Sequence, residues 1–481
     1  MAIIYDLLNV IILTTDNLTA LKKRVFMDKS TNDETNDETN DKTPLDKADV
    51  IIIGGGASGL GAGKEIAKAG KKVYVLEARN RLGGRIYTLT VPGFSTPLEA
   101  GAEFVHGDMP ATQSLLREGS IKSYPIAGKY YMIKNGKFQK FENLRTTFST
   151  LLSKADSLKQ DMPFSKFLDQ YLNEEKYKTV REIARGFVEG YDAADIKRAS
   201  TFALREEWKV FGQSDQYRLK GGYIKLIDFL SKEIIKHNGA IFLSTVAKEI
   251  RWKPDNVEVI SDNGKIYSAR KALITVPLGV LQSKPDDEAH LHFSPGLPEK
   301  LEAAKSIGYG TAIKVFLEFK DAFWESSENQ IQIRKMPELG LLISDTFFTA
   351  CWTQLPNKTP LLTGWLAGPQ AEKNKNTSDE NIITMALDAL GYIFNTNRSF
   401  LIKNLRAGKV VNWQTDPFSL GAYSYATVES NEAKKVLTQP VEDTLFFAGE
   451  ALSEGTAMGT LEEALANGIK TAKELLTHLK S

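Results

Sequence analysis

The segment VIIIGGGASG, residues 50–59, decides how this chain folds. Its β-branched start has the pattern of a strand that is buried on both faces. A stretch with helical character follows over Leu60–Ala69, and a second short strand is predicted at residues 73–76, with Glu77 at its end. A strand, a glycine-rich turn, a helix and a second strand make up a βαβ unit, which predicts a parallel sheet.

The glycines of this segment have the spacing of a dinucleotide-binding loop. Gly54 permits a tight turn, Gly56 lets the backbone approach a pyrophosphate, and Gly59 allows the helix to pack closely on the strand. The N-terminus of the helix would direct its free N–H groups at the phosphates. Glu77, 18 residues after Gly59, is placed to accept hydrogen bonds from the ribose hydroxyls of adenosine. The alternative is a glycine loop that serves packing alone.

The run EARNRLGGR, residues 77–85, favours a flavin over a nicotinamide. It places Arg81 and Arg85 around a Gly-Gly turn, where two guanidinium groups can neutralise a pyrophosphate and the glycines let the backbone lie against a flat ring. The run closely resembles that of the flavin-containing amine oxidase family, which contains the monoamine and polyamine oxidases. This resemblance argues against an NAD-dependent dehydrogenase.

Further segments of the chain resemble this family, and they follow one another in the same order as in the family. The segments LEAGAEFVHG (98–107), TVPLGVL (275–281) and FFAGE (446–450) look like family segments that lie beside the flavin or close its site. The matches extend from Val50 to the C-terminus. They imply FAD as the cofactor, and a non-covalent FAD, because Ala422 stands where monoamine oxidases carry the linking cysteine.

The predicted fold class is α/β, with a Rossmann-type FAD-binding domain and a mixed α+β substrate domain. Strand and turn patterns over residues 240–276 predict a small antiparallel meander inserted into the parallel sheet. We assign residues 50–110, 215–290 and 405–481 to the FAD-binding domain and residues 111–214 and 291–404 to the substrate-binding domain.

The glycine motif and the family resemblance together assign a set of cofactor-binding residues. In the family, the backbone at Val246 contacts the adenine, Glu450 meets the cofactor near the pyrophosphate, and the final helix, from about Gly459, directs its N-terminus at the flavin. The complete set is Gly54, Gly56, Ala57, Ser58, Gly59, Glu77, Ala78, Arg79, Arg81, Gly83, Gly84, Arg85, Gly101, Ala102, Glu103, Val246, Gly449, Glu450, Gly459 and Thr460.

Three further residues are assigned to catalysis by the resemblance. Lys314, within AIKVF (312–316), matches a family lysine that holds a water at flavin N5, and Trp413 and Tyr423 match aromatic residues beside the flavin. A lysine in so apolar a strand is costly if it is buried without a partner, so the alternative is an exposed edge-strand lysine. Thr460 stands where the second tyrosine of an aromatic cage is expected, which leaves the predicted cage half-open.

Two residues are candidates for substrate binding. His106 occupies a position where polyamine oxidases place a histidine or a glutamate that binds substrate, and Glu103 could add a negative charge for a cationic amine. The alternatives are a packing histidine and an ordinary loop acid.

Composition limits the remaining functions. The 481 residues include 61 basic and 60 acidic side chains, so no overall field favours nucleic acid or an anionic membrane. Cys351 is the sole cysteine, which excludes a disulfide framework within the chain, and we expect no metal site. No apolar run is long enough to span a membrane. Residues 3–13 lack the basic segment that precedes the apolar core of a secretion signal, so a cytoplasmic location is expected.

Residues 1–49 are predicted to be a disordered acidic extension. A tandem repeat, TNDETNDETNDK, covers Thr31–Lys42, and residues 28–49 hold eight acidic and three basic side chains with few apolar ones. Such a segment cannot offset its ordering entropy by burial. Met1 and Met27 are both open as the start of the protein.

The predicted function is an FAD-dependent amine oxidase. It would oxidise a C–N bond of a primary or secondary amine, a class that includes polyamines, by hydride transfer to flavin N5, with O2 reduced to hydrogen peroxide. Its partners are the small-molecule amine and O2, and the sequence is compatible with a homodimer. The alternatives are an L-amino-acid oxidase with Arg205 or Arg334 binding the carboxylate, a lysine demethylase-like enzyme, and a non-catalytic FAD-binding scaffold.

Overall fold

The computed structural model describes residues 46–107, 109–139, 142–210, 215–325, 333–454 and 458–479. The predicted extension therefore lies outside the described residues up to position 45. Its last two residues, Ala48 and Asp49, are already part of the first strand.

The helices and strands are numbered in chain order. The α-helices are α1 (Ala57–Lys68), α2 (Pro110–Glu118), α3 (Glu142–Ala155), α4 (Phe164–Tyr171), α5 (Lys178–Gly190), α6 (Thr201–Val210), α7 (Ile224–Lys236), α8 (Leu278–Leu281), α9 (Pro298–Ser306), α10 (Gly368–Lys373), α11 (Asp379–Phe394), α12 (Arg398–Asn404), α13 (Ser430–Thr438) and α14 (Leu461–Thr477). The strands are β1 (Ala48–Ile53), β2 (Val73–Leu76), β3 (Thr88–Leu89), β4 (Leu98–Glu99), β5 (Val105–His106), β6 (Ser123–Pro125), β7 (Lys129–Lys134), β8 (Lys137–Phe138), β9 (Gln216–Leu219), β10 (Ala240–Phe242), β11 (Ala247–Lys253), β12 (Asn256–Ser261), β13 (Ile266–Ile274), β14 (His292–Ser294), β15 (Gly308–Tyr309), β16 (Ala312–Phe319), β17 (Leu339–Ser344), β18 (Ala350–Trp352), β19 (Leu361–Ala367), β20 (Leu405–Asn412), β21 (Ser424–Tyr425) and β22 (Leu445–Phe447).

The first large sheet joins a parallel part to an antiparallel part through the long strand β13. Strands β10, β2, β1, β13 and β22 are parallel neighbours, and Ile53 of β1 pairs with Leu76 of β2 and Ile274 of β13. The N-terminal half of β13 pairs with β12 instead, and β11 and β14 follow. This arrangement is the parallel sheet with an inserted meander that the sequence predicts.

Helix α1 packs tightly between this sheet and α14. A Cβ at Gly59 would lie 2.0 Å from the carbonyl oxygen of Gly54, and one at Gly61 would lie 3.4 Å from the side chain of Leu465 in α14. Glycine at position 59 is therefore required by packing, which brings the start of α1 to the end of β1.

The second large sheet has the strand order β20-β16-β19-β18-β17-β7-β8. All eight residues of the interior strand β16 are buried, and α11 and α12 contribute to the hydrophobic core on this sheet. Helices α3 to α6 pack around a separate apolar cluster that includes Phe164, Phe167 and Trp208. No helix in the described part of the chain is both long and apolar enough to cross a membrane.

Strand pairing places two segments differently from the predicted domain bounds. Strand β20 pairs along its length with β16, so Leu405–Asn412 belongs to the second sheet, although residues from 405 onward were assigned to the FAD-binding domain. Strand β14 pairs with β11, so His292–Ser294 belongs to the first sheet, although residues from 291 onward were assigned to the substrate domain. Both pairings are between strands that are distant in sequence, which local patterns do not reveal.

Candidate active site

A cavity of about 2150 Å³ lies between the two large sheets and the helices α3, α5 and α6. The loop after β1 forms one part of its wall, and β7 and β17 form another. Most of the predicted site residues line it: Gly54, Gly56, Ala57, Ser58, Glu77, Arg79, Gly83, Gly84, Arg85, Gly101, Ala102, Glu103, His106, Lys314, Trp413, Tyr423, Gly449, Glu450, Gly459 and Thr460.

Four predicted cofactor-binding residues lie elsewhere. Ala78 and Val246 line a smaller cavity of about 60 Å³, which shares Gly54 and Glu77 with the large one. Gly59 lies in the packed contact between α1 and β1.

Arg81 is the fourth of these residues. Its guanidinium donates to the carbonyl oxygen of Gly84 at 2.9 Å and lies 3.7 Å from the ring centroid of Tyr87. Arg81 therefore holds the Gly-Gly turn in shape, and it does not line the cavity where the sequence predicted a pyrophosphate contact.

The glycine-loop end of the cavity fits a phosphate-bearing cofactor. No side chain caps the N-terminus of α1, and a Cβ at Gly56 or Gly449 would meet no atom within 4 Å. The hydroxyl of Ser58 is buried without a hydrogen-bond partner. That hydroxyl is directed at Gly468 of α14, whose added Cβ would lie 2.7 Å from it. Free space and an uncapped helix start are what a bound pyrophosphate would use.

Two acidic residues fix the shape of this end. Glu77 accepts a hydrogen bond from the backbone N–H of Gly55 at 2.7 Å. Glu450 accepts one from Arg85 at 2.8 Å and another from the hydroxyl of Ser424. The EARNRLGGR and FFAGE segments, far apart in sequence, therefore meet at the cavity through an ion pair.

Lys314 is buried, with 3% of its surface exposed, and has a full set of acceptors. Its Nζ donates to the carbonyl oxygens of Glu99 and Gly101, at 2.8 Å and 2.9 Å, and to Oε2 of Glu103 at 2.9 Å. Lys314 lies in the interior strand β16, so the alternative of an exposed edge-strand lysine is wrong.

Glu103 is the centre of this charged cluster. Its Oε1 accepts hydrogen bonds from Arg218 and Trp352, each at 3.0 Å. Burial alone would raise the pKa of Glu103, but Lys314 and Arg218 hold it below its usual value. The sequence predicted that Glu103 would bind a cationic substrate, but its carboxylate already pairs with two cations of the chain. Arg218 and Trp352 carry no motif, so sequence reasoning missed them.

Aromatic rings form the wall next to this cluster. The ring of Trp365 lies nearly parallel to Tyr423, with centroids 6.4 Å apart and 9° between the planes. Trp352 lies 6.3 Å from Trp365. The indole N–H of Trp413 donates to the carbonyl oxygen of Ala100 at 2.9 Å. The structure therefore adds Trp352 and Trp365 to the two aromatic residues that the sequence predicted.

The start of α14 closes the wall near Tyr423. Thr460 is the N-cap of this helix and accepts a hydrogen bond from the backbone of Glu463 at 3.4 Å. A Cβ at Gly459 would lie 3.0 Å from the ring of Tyr423. The helix N-terminus thus lies at the cavity, as the sequence predicted, with a threonine at the position of the expected second tyrosine.

His106 lines the cavity with an uncharged ring. Its Nδ1 is buried without a hydrogen-bond partner, and burial lowers the pKa of the imidazole to about 4. His106 is therefore neutral at neutral pH.

Two acidic residues that the sequence did not single out also line the cavity. Asp192 follows α5, Glu207 lies on α6, and both line the cavity. Burial, then Glu207, raises the pKa of Asp192, and burial raises the pKa of Glu207 to about 7. Only the packing of α6 beside the end of α5 brings them together, so no local motif could have marked them.

The two arginines considered for a substrate carboxylate lie away from the cavity wall. Arg205 pairs with Glu206 at 2.8 Å. Arg334 donates to backbone carbonyl oxygens, including that of Gly136 at 2.6 Å. Among the residues that the structure describes, no group of three or more His, Cys, Asp or Glu could hold a metal ion.

Several characterised proteins are similar to this chain. Polyamine oxidase 2 of Arabidopsis thaliana is 28% identical over 88% of the chain and 87% of its own length. Lysine-specific histone demethylase 1 homolog 3 of Arabidopsis thaliana is 25% identical, and homolog 2 of Oryza sativa subsp. japonica is 26% identical. The alignments cover 91% and 89% of the chain but only 30% and 57% of these two relatives.

A solved structure confirms the fold class. Putrescine oxidase bound to putrescine superimposes with a TM-score of 0.72 at 18% identity, over 90% of this chain and 99% of that one. A family model described as flavin containing amine oxidoreductase matches residues 57–476, which confirms the predicted flavin cofactor. The chain therefore belongs to the flavin containing amine oxidoreductase family.

Proposed function

We propose that this protein is an FAD-dependent oxidase of amines that carry a second positive charge, such as diamines and polyamines. The observation that carries the proposal is a cavity wall in which aromatic rings adjoin acidic residues. In the described part of the wall formed by β7, β17 and helices α3, α5 and α6 with their flanking loops, the charged residues are Lys134, Glu182, Asp192, Glu207, Asp215 and Asp345.

The charge balance of this wall favours a cationic ligand. Its basic residue, Lys134, already pairs with Glu182 at 2.6 Å, so the other four charged residues, all acidic, remain without a cation of the wall beside them. Apolar walls around such acids focus their field on whatever enters the cavity. A ligand with two or more amino groups has matching charge, and Arabidopsis polyamine oxidase 2, which aligns over most of both chains, is named for such a class.

The residues of the chain would bind and orient the amine. Trp365 and Tyr423 offer flat apolar faces, and an amine that enters between them and Trp352 loses water. Desolvation lowers the pKa of an amine, which favours the neutral form that oxidation requires. The hydroxyl of Tyr423 donates to the carbonyl oxygen of Tyr191 at 2.6 Å, which fixes the orientation of its ring.

A bound flavin would supply the oxidation as the acceptor of a hydride equivalent from the carbon next to the amine nitrogen, with O2 as the final electron acceptor and an imine and hydrogen peroxide as the products. Lys314 places a fixed positive charge on the wall and holds its protons between Glu103 and two carbonyl oxygens. We keep Lys314, Tyr423 and Trp413 as the proposed catalytic residues and His106 as a proposed substrate-binding residue.

An L-amino-acid oxidase is less well supported. Such an enzyme needs a free cation for the substrate carboxylate, and each arginine in the described cavity wall already pairs with an acidic residue. Arg79 pairs with Asp416, Arg85 with Glu450, and Arg218 with Glu103.

A substrate panel tests the proposal. The purified protein should be yellow, acid should release FAD from it, and peroxide should form with putrescine or spermidine in preference to benzylamine, L-amino acids or a methyl-lysine peptide. Tyr423→Ala should lower kcat/KM for the preferred amine at least tenfold, while Tyr392→Ala, at an exposed position on α11, should not.

Turnover confined to L-amino acids or to the peptide would overturn the proposed substrate class. A flavin that no amine reduces would favour the non-catalytic scaffold.

A further inference from the structure

Lys314 has no hydrogen-bond donor left for a water molecule. An ammonium group has three N–H donors, and three acceptors surround this one: the carbonyl oxygens of Glu99 and Gly101, at 2.8 Å and 2.9 Å, and Oε2 of Glu103 at 2.9 Å. All three distances are those of ordinary hydrogen bonds. The family lysine that Lys314 matches holds a water at flavin N5, whereas here Glu103 takes the third donor. What Lys314 offers to the cavity is therefore its charge.

Glu103 is held in place through its other oxygen as well. Its Oε1 accepts hydrogen bonds from the guanidinium of Arg218 and from the indole of Trp352, each at 3.0 Å. Arg218 also donates to the carbonyl oxygens of Thr353 and Leu355, at 2.9 Å and 3.0 Å. The carboxylate is thus fixed between its two cations, and Arg218 is fixed beside it.

The cluster of Lys314, Glu103 and Arg218 has a net positive charge in a poorly solvated place. At most 7% of any of these side chains is exposed, and two cations and one anion leave a net charge of +1. Loss of the charge of Glu103 would raise this value to +2, and loss of the charge of Arg218 would lower it to 0. Solvent screens such buried charges only weakly.

Glu99 is the other acidic residue that faces the cluster. Its carboxylate accepts a hydrogen bond from the hydroxyl of Thr88 at 3.0 Å and one from the backbone N–H of Tyr223 at 3.2 Å. Burial, then Glu103, raises the pKa of Glu99 to about 7. The ionisation of Glu99 therefore has to be held constant when the charge of the cluster is tested.

The cluster adjoins the part of the cavity that is assigned to the flavin. The segment that accepts hydrogen bonds from Lys314 packs against the Gly-Gly turn region, because a Cβ at Gly101 would lie 1.7 Å from the carbonyl oxygen of Arg85 and 3.2 Å from the ring of Trp413. Lys314, Glu103 and these three residues all line the same cavity. The net charge of the cluster therefore acts on a group bound there.

We propose that Glu103 and Arg218 are positioning residues that act through Lys314 and set the reduction potential of the bound flavin. A reduced flavin carries a negative charge near pH 8, so a positive wall stabilises it more than the oxidised form. Glu103 offsets part of this effect and keeps the potential down, whereas Arg218 keeps it up. The inference rests on the flavin cofactor and on the proposed role of Lys314, and it is independent of which amine is the substrate.

Redox titration of the FAD-loaded, full-length protein tests this inference. The flavin is equilibrated anaerobically with a reference dye of known potential at pH 8, where Glu99 is mostly ionised, and no substrate is added. Glu103→Gln should raise the equilibrium constant for flavin reduction at least tenfold, which is about 30 mV for a two-electron couple. Arg218→Gln should lower it by a similar factor. A purely structural disturbance would not reverse its sign with the sign of the charge removed.

Two further variants separate charge from packing. Arg218→Lys keeps the charge but loses the forked contacts of the guanidinium, and it should stay within about threefold of wild type. Glu338→Gln removes one charge of the exposed pair with Lys129 and should leave the potential unchanged. Flavin absorbance and circular dichroism check that each variant is folded. If Glu103→Gln does not fold, Arg218→Gln compared with Arg218→Lys decides the question.

The outcomes separate this inference from the proposed function. Unchanged potentials, shifts of the same sign in Glu103→Gln and Arg218→Gln, or an equal shift in Arg218→Lys and Arg218→Gln would overturn the inference and leave amine oxidation standing. Opposite shifts in a protein whose flavin no amine reduces would support the inference and overturn the proposed function.

Discussion

Two buried charge clusters on the same cavity wall are built in opposite ways. In the first, Glu103 lies between Lys314 and Arg218, and the chain supplies every countercharge. In the second, Asp192 and Glu207 face each other with no cation of the described chain beside them. The ion pairs of the first cluster stabilise the fold. The second cluster has acidic groups that a cationic ligand could still bind.

The two clusters also differ in what they connect. Lys314 belongs to the second sheet, Arg218 to β9, and Glu103 to the segment between β4 and β5, so the first cluster links parts of the chain that are distant in sequence. Asp192 and Glu207 belong to one group of helices. Loss of Glu103, the shared anion of the first cluster, is therefore expected to affect mainly folding, and changes in the second cluster mainly selectivity and pH dependence.

The largest expected effect is on folding. Glu103→Ala would leave Lys314 and Arg218 buried without their shared anion, and breaking a buried ion pair in this way costs about 3–5 kcal/mol. Urea unfolding at pH 7.5 measures the loss. The matched variant Glu338→Ala removes a partner of the exposed Lys129 and should leave the unfolding midpoint unchanged. Equal midpoints for both variants would contradict the compensated cluster.

Removal of a charge from the uncompensated pair should have the opposite effect and stabilise the folded protein. The pKa of Glu207 is about 7 in the folded protein, above its usual 4.5, so ionisation favours unfolding and wild-type stability falls as pH rises through this window. Glu207→Gln should therefore be more stable than wild type at pH 8, by on the order of 3 kcal/mol, and equal to it below pH 4.5. Unfolding at both pH values measures this. A variant that is less stable at pH 8 would show that a cation neutralises Glu207.

Lys314→Met should affect chemistry more than folding, because Arg218 still pairs with Glu103. Loss of the fixed positive charge should slow flavin reduction or reoxidation at least roughly tenfold, about 1.4 kcal/mol of barrier, while FAD stays bound. Stopped-flow measurement of both half-reactions checks this, with the exposed Lys320→Met as the control. If flavin reduction and reoxidation both stay within twofold of wild type, Lys314 has only a structural role.

The smallest effect is expected at His106, which belongs to neither cluster. Since its pKa is about 4, the ring is neutral throughout pH 6–9, and His106→Gln should leave the pH profile of kcat/KM unchanged. The loss of one hydrogen bond to the substrate should raise KM roughly threefold, about 0.7 kcal/mol. A profile that loses one of its limbs in the variant would show that His106 titrates during the reaction.

The glycine loop illustrates what could be predicted locally. The positive φ of Gly54 and the close approach of Gly59 to the carbonyl oxygen of Gly54 arise from backbone geometry within a few residues, so the pattern of residues 50–59 predicts them before any tertiary contact is known. Lys314 was located by its family pattern, but its role could not be read from the strand alone. Its partner Glu103 was predicted to bind substrate, but in the structure Glu103 accepts hydrogen bonds from Lys314 and Arg218.

The sequence by itself determined the family, the flavin cofactor and the positions of most residues that line the cavity, because short motifs encode backbone shape and local burial. The tertiary structure alone decided how charges are compensated. Arg218, Asp192 and Glu207 carry no motif, and only long-range strand pairing and helix packing show that one acid has two cationic partners while two others of the described wall form no ion pair. Whether a buried charge has a partner depends on which residues, distant in sequence, lie near it in the fold. The order of residues does not state these distances.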